Sequence, residues 1–362
     1  MAMKRELDDI RVKVEEGTRL SDEDALALYL SRDLLSVGEL AQIANRRATG
    51  DRVHFIVNRH INPTNICVNR CRFCAFSKTK EAPSAYTMTM EEILRRAHEA
   101  WEQNATEIHI VGGLHPDLPF DFYLNMLRSL RERYPAIHIQ AFTAVEVDYF
   151  ARITELPLAE VISQLKDAGL GSLPGGGAEI FAPDIREKIC PEKISGERWL
   201  EVMEAVHAAG LKSNATMLYG HVETPESRVD HMRRLRELQD RTGGFQSFIP
   251  LAFHPENTDI VKPSTTGVED LMMLAVGRLY LDNFRHIKAF WINVGPKLAQ
   301  LSLFFGVDDI DGTVVEEKIS HAAGATTGQE MAVDDLVAMI RQAGKIPVER
   351  DTLYNIVREW PA

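Results

Sequence analysis

No apolar run in this chain approaches the roughly 20 residues needed to span a bilayer, so no membrane-embedded helix is expected. The opening MAMKRELDDIRVKVEEG lacks an apolar stretch and does not read as a signal peptide. Positive charge is in short supply. With 41 Lys and Arg against 53 Asp and Glu, the net charge is -12, which argues against a nucleic-acid partner. There is no phosphate-binding P-loop, no dinucleotide-binding glycine fingerprint, no repeat of fixed period and no low-complexity tract. Cysteine is scarce, at four in 362 residues, which excludes a disulfide framework and fits a reducing, cytoplasmic setting. What remains is a globular profile, 45% hydrophobic and 26% charged, with enough length to bury a full-sized core.

Three of those four cysteines crowd together in NPTNICVNRCRFCAF, residues 62–76, as Cys67, Cys71 and Cys74 at C-x3-C-x2-C spacing. An odd number of thiols in so tight a loop makes disulfides a poor reading. Zinc remains an option, since zinc sites use thiolates, although the run supplies only three. An iron–sulfur cluster fits the spacing better. Three thiolates with no evident fourth would leave one iron open to a ligand. Cys190, far along the chain, reads as a small apolar filler. If it served as a fourth ligand, the protein would be an iron–sulfur electron carrier or sensor instead. Around the cysteines, Arg59, Arg70, Arg72, Lys78 and Lys80 form a stretch without any Asp or Glu. Such a basic island would ease reduction of a cluster, dock an acidic carrier of flavodoxin or ferredoxin type, or hold ligand carboxylates. A solvated surface is the plainer alternative.

Residues 1–50 read as a helical extension, with Leu26, Leu30, Leu34, Leu35, Leu40 and Ile43 at roughly helical spacing and a cap at Ser21 with Asp24. Strand-like stretches at 54–62, 107–111, 137–142, 171–173, 212–219, 245–251, 287–294 and 303–307 then alternate with amphipathic segments. Thr89-x-x-Glu92 is a capping box, Gly169 and Gly210 end helices, and Pro225 begins one. The alternation predicts an α/β fold, a (β/α)8 TIM-type barrel over 51–315, partly open if the weak fourth and eighth strands fail to pair. A C-terminal helical extension over 316–362 is expected to pack on it.

In such a barrel, chemistry sits at the C-terminal ends of the strands, where the cysteine loop falls. His54, Asn58, His60 and Asn62 share one parity of the first strand, as a polar interior row or a hydrogen-bonded core row. Gly112 and Gly113 end the second strand and would let backbone approach a ligand. Glu146 lies just past the third. Tyr219 ends the fifth, His254 follows the sixth, and Asn293 ends the seventh, all placed to reach the mouth as catalytic candidates. For His254, loop structure beside Pro255 is the bland alternative.

C-x3-C-x2-C followed by the aromatic Phe76 resembles the radical S-adenosylmethionine (SAM) superfamily. INPTNICVNRCRFCAFSK is similar to the enzymes of the futalosine route to menaquinone and to the deazaflavin-forming F0 synthases. LPGGGAEIF and ERDTLYN look most like the aminofutalosine synthase family. The resemblance implies a radical SAM barrel in which Cys67, Cys71 and Cys74 hold a [4Fe–4S] cluster whose fourth iron binds SAM. It implies that Gly112 and Gly113 meet the methionine amino group, although Leu114 stands where many relatives carry an acid. It implies SAM contacts at Glu179 and a clamp on the SAM carboxylate at Arg186. A surface ion pair of Arg186 with Asp184 or Glu187 is the alternative. The implied reaction adds a 5′-deoxyadenosyl radical to the small-molecule substrate 3-[(1-carboxyvinyl)oxy]benzoate, with CO2 loss, giving 6-amino-6-deoxyfutalosine. Cyclic dehypoxanthinylfutalosine synthase and F0 synthase chemistry are the rivals.

Overall fold

A computed structural model describes residues 2–361; Met1 and Ala362 lie outside the described residues. Three helices open the chain, α1 (Ala2–Glu16), α2 (Asp22–Leu30) and α3 (Leu34–Ala48). The Ser21 cap is present as a full capping box, with Ser21 and Asp24 each serving the other's backbone N–H. α2 lies on the helix Pro225–Thr242 and α3 on Gly267–Tyr280, so the helical segment lines the outside of the barrel.

Eleven strands follow among the described residues: β1 (Arg52–Ile56), β2 (Asn58–Ile61), β3 (Glu107–Ile110), β4 (His138–Ala141), β5 (Ser172–Leu173), β6 (Lys212–Tyr219), β7 (Phe245–Ala252), β8 (His286–Ile287), β9 (Asp309–Gly312), β10 (Ile346–Arg350) and β11 (Ile356–Glu359). β2 to β8 form one curled parallel sheet in sequence order, joined by helices. This is the parallel α/β barrel architecture that the alternation of strands and helices predicts, with seven strands in the main sheet. The gap between β8 and β2 is bridged by residues 309–315. Ala289 N–H donates to Asp309 O at 2.9 Å, and His60 N–H donates to Val315 O at 2.9 Å. The strand residues facing the helices are Ile and Val type, such as Ile108, Ile110 and Ile139, all fully buried. Each such side chain contributes about 1.5–3 kcal/mol of hydrophobic stabilisation.

Four expectations need correction. Residues 54–62 are not one strand. β1 belongs to a second sheet of order β11-β10-β1-β9, and β2 begins the barrel. The broken parity at Ile56 and Arg59 marks that switch: Arg59 turns outward to Glu99 and Glu316, at 2.6 and 2.9 Å. Residues 287–294 hold only the two-residue β8, then a helical turn Trp291–Val294. Residues 303–307 form turns around Gly306, whose φ of +86° ends extended structure; the strand is β9 instead. The stretch 316–362 is not all helical. Besides the helix Val333–Gln342 it supplies β10 and β11, and β10 pairs in parallel with β1.

Candidate active site

The barrel encloses a cavity of about 330 Å³ at the C-terminal ends of the strands. Cys67, Cys71 and Cys74 all line it, each half-buried, on the loop that follows β2. Burial pushes the Cys71 thiol up to about 12 and raises Cys67 as well. Three thiols beside one cavity suit a metal centre, because binding a metal deprotonates a thiol outright. Cys190 is fully buried in the apolar core and does not line the cavity. The basic island is largely spent on the loop itself. Arg70 donates to Cys67 O, Lys78 to Ala75 O at 2.8 Å, and Arg72 to Lys188 O and Asp259 O, both at 3.2 Å.

Gly112 and Gly113 lie directly against that loop. A Cβ on Gly113 would come within 2.2 Å of Ile66 O, so only glycine lets β3's end pack there. Both N–H groups are used, Gly113 toward Thr64 O at 2.9 Å and Gly112 toward Glu146 Oε1 at 3.1 Å. Their carbonyls have no hydrogen-bond partner among the described residues and remain as acceptors. Glu146 closes a capping box with Thr143 and lines the cavity. Burial lifts its carboxyl to about 7, against partial relief from the Thr143 and Gly112 N–H groups. It stands next to Gly112, which brings an acid to the place that Leu114 leaves without one.

Glu179 also lines the cavity, paired with Lys193 at 2.5 Å. Burial opposes the Lys193 charge, but Glu179 and the nearby Cys71 raise its pKa overall, so it is a cation. Lys193 Nζ also stands 5.2 Å from the centre of the Phe73 ring. Phe76 lines the same wall, edge-on to Tyr86. On the opposite side His254 donates from Nε2 to Asn293 O at 3.1 Å, and burial lowers its pKa, so the ring is neutral. Asn293 Oδ1 is a buried acceptor without a partner. That orphaned oxygen faces a cavity able to supply a donor.

Two candidates do not reach the cavity. Tyr219 lies on the outer parity of β6: Thr216 and Leu218 face in, and the Tyr219 hydroxyl donates to Asp270 at 2.7 Å. Arg186 is buried among carbonyls, donating to Ala178 O, Ile180 O and Ile194 O at 2.6, 3.0 and 2.5 Å. It forms no ion pair with Asp184 or Glu187. It holds the loop that carries Glu179 and Lys193, and Lys193 is the cation that faces inward. Nothing in the linear sequence marks Lys193, because its partner is set by the path of that loop.

The sequence matches the radical SAM superfamily over residues 61–235 and the CofH/MqnC C-terminal region over residues 242–362. It is 48% identical to an aminodeoxyfutalosine synthase of Thermus thermophilus, over 97% of this chain and 96% of that one. The chain belongs to the radical SAM superfamily. A protein of Methanopyrus kandleri, named 5-amino-6-(D-ribitylamino)uracil–L-tyrosine 4-hydroxyphenyl transferase, is 42% identical over 96% of this chain and 94% of its own. Among solved structures, methylornithine synthase superposes with a TM-score of 0.74 at 17% identity, covering 93% of this chain and 97% of that one. The maturase HydG of Carboxydothermus hydrogenoformans gives 0.76 at 17% identity, covering 97% and 81%. Membership in the radical SAM superfamily implies a [4Fe–4S] cluster and SAM acting on a small molecule. Among the described residues no helix is long and apolar enough to cross a membrane.

Proposed function

We propose that this radical SAM enzyme is a transferase of menaquinone biosynthesis that joins the adenosyl group of SAM to 3-[(1-carboxyvinyl)oxy]benzoate. A carbon–carbon bond forms between the adenosyl C5′ and the vinyl CH2. The aryl group passes from oxygen to carbon, the carboxylate leaves as CO2 and gives back the one electron that SAM cleavage took, methionine leaves, and 6-amino-6-deoxyfutalosine results. The observation that carries this reading is three half-buried thiols on one loop opening into the barrel cavity, in a chain 48% identical to an aminodeoxyfutalosine synthase.

In this reading Cys67, Cys71 and Cys74 hold three irons of a [4Fe–4S] cluster and leave the fourth for SAM. The cluster supplies the electron that SAM cleavage requires. The chain's own groups bind and orient. The Gly112 and Gly113 carbonyls accept from the methionine amine, with Glu146 beside them. Lys193 offers the charge for the SAM carboxylate, with Glu179 as its counter-ion. His254 and Asn293 frame the opposite wall, where the Asn293 Oδ1 accepts a ligand N–H or O–H. The enclosure limits water at the reacting carbons. An acidic flavodoxin or ferredoxin is the proposed reductant, docking over the exposed Arg70 and Arg72 of the cysteine loop, in the cytoplasm. A turnover rate flat across ionic strength would speak against that docking.

The archaeal relative named a hydroxyphenyl transferase, at 42% identity, supports a second reading in which a different small molecule is the acceptor. Mass spectrometry of an anaerobic reaction with SAM, dithionite and the enol ether separates them. A product joining adenosyl and benzoate parts with one CO2 lost is expected. SAM cleavage to 5′-deoxyadenosine alone would move the substrate to another member of the group.

A further inference from the structure

The floor of the cavity carries an arrangement that SAM binding leaves unused. His60 on β2 and His109 on β3 are register partners, and their rings stack at 4.3 Å with planes 2° apart. Both line the cavity, and His60 is only 8% exposed. Among the described residues no group hydrogen-bonds to a ring nitrogen of either. Burial, together with the other ring and Lys288, keeps His60 neutral, and burial does the same for His109. Each ring therefore has one N–H to donate and no protein acceptor for it.

Lys288 stands close to the pair without lining the cavity; its partner Asp311 does line it. Lys288 is 5% exposed, and its ammonium makes no hydrogen bond; the nearest carboxylate oxygen, on Asp311, is 3.6 Å away. That is beyond hydrogen-bond range for a group with three donors. Lys288 and Asp311 balance each other in charge, so the surplus here is in donors, not in charge. Imidazole N–H groups that line a cavity without a protein acceptor are free to donate to a ligand.

We propose that His60 and His109, with the Lys288 charge close to them, form a carboxylate receptor at the floor of the cavity, and that it takes the arene carboxylate of the substrate. The choice of carboxylate rests on the reaction proposed above. The vinyl carbon must face the adenosyl group beside the cysteine loop at the mouth. His60 and His109 lie deeper, below Asn62 and Gly112. The end of the enol ether that reaches them is its benzoate, whose planar carboxylate offers acceptors to both N–H groups, with the ammonium charge nearby.

The test compares equilibrium binding of 3-hydroxybenzoate and 3-hydroxybenzamide to the cluster-loaded protein, by calorimetry. The wild type is expected to prefer the acid by roughly 10- to 100-fold, the size of one or two charge-assisted hydrogen bonds. His60→Leu and His109→Leu should each erase that preference and leave amide binding and iron content unchanged. Equal binding of acid and amide by the wild type, or no binding of either, overturns the receptor, and this comparison stands even if a variant fails to fold. A preference that survives in both variants overturns it too. Preference for the acid without turnover of the enol ether overturns the reaction and keeps the receptor. Turnover without the preference does the reverse.

Discussion

Lys193 Nζ lies 2.5 Å from Glu179 Oε1, with both side chains nearly out of solvent and both at the wall of the cavity that carries the cysteines. The pair places a fixed positive charge beside Cys71 without leaving a buried charge uncompensated. Arg186, one helix earlier, holds the loop carbonyls that set this geometry.

Removing one partner strands the other. Lys193→Met is expected to destabilise the fold by about 2–4 kcal/mol, since a buried carboxylate loses the cation paired with it. The double variant Lys193→Met, Glu179→Leu should recover much of that loss. Chemical denaturation of the three proteins checks it, and a double variant no more stable than the single one would show that the pair is not a unit.

Cys67→Ser, Cys71→Ser and Cys74→Ser should each abolish the iron–sulfur absorbance and SAM cleavage. Cys190→Ser should keep both, because Cys190, although close to Cys71, is packed in the apolar core and does not line the cavity. Iron content after anaerobic reconstitution is the measurement. Loss of iron in the Cys190 variant would restore the electron-carrier reading.

Gly113→Ala puts a Cβ 2.2 Å from Ile66 O, so the cysteine loop or β3 must shift. The expected cost is about 1–3 kcal/mol in stability. A lower iron stoichiometry should accompany it, since the displaced backbone is the one that carries Cys67. Thermal unfolding with iron analysis reads both effects.

Glu146 is held at about 7, above its ordinary 4.5, chiefly by burial. The folded state therefore keeps a proton that the unfolded state releases. The sign follows: this group costs nothing below about pH 4.5, and stability falls as pH rises from there to about 7. Glu146→Gln should flatten that part of the stability profile. Denaturation midpoints at several pH values test it, and an unchanged slope in the variant would exclude Glu146 as the source.

Tyr219→Phe removes the 2.7 Å hydrogen bond to buried Asp270. Stability should drop by about 1–3 kcal/mol, because a buried acceptor loses its donor. The rate of 5′-deoxyadenosine formation should stay unchanged, since the hydroxyl points away from the cavity. A fall in that rate at temperatures where the variant stays folded would return Tyr219 to the site.

The chain by itself determined the features that local chemistry dictates. The spacing of Cys67, Cys71 and Cys74, the alternation that makes a barrel, the capping boxes at Ser21, Thr89 and Thr143, and the glycines at 112 and 113 each act within a few residues. Their physical demands can therefore be read in one dimension. The tertiary structure decided the rest. Strand parity is settled only by which face meets a helix, and that sent Tyr219 outward. The path of the loop over residues 178–194 turned Arg186 onto carbonyls and Lys193 onto the cavity. β10, far along the chain, found β1 because β1 had left the barrel sheet. His60 met His109 through strand register, a long-range property. The alternation of β2 placed His60 inward, but only the pairing with β3 set a second unpartnered imidazole beside it.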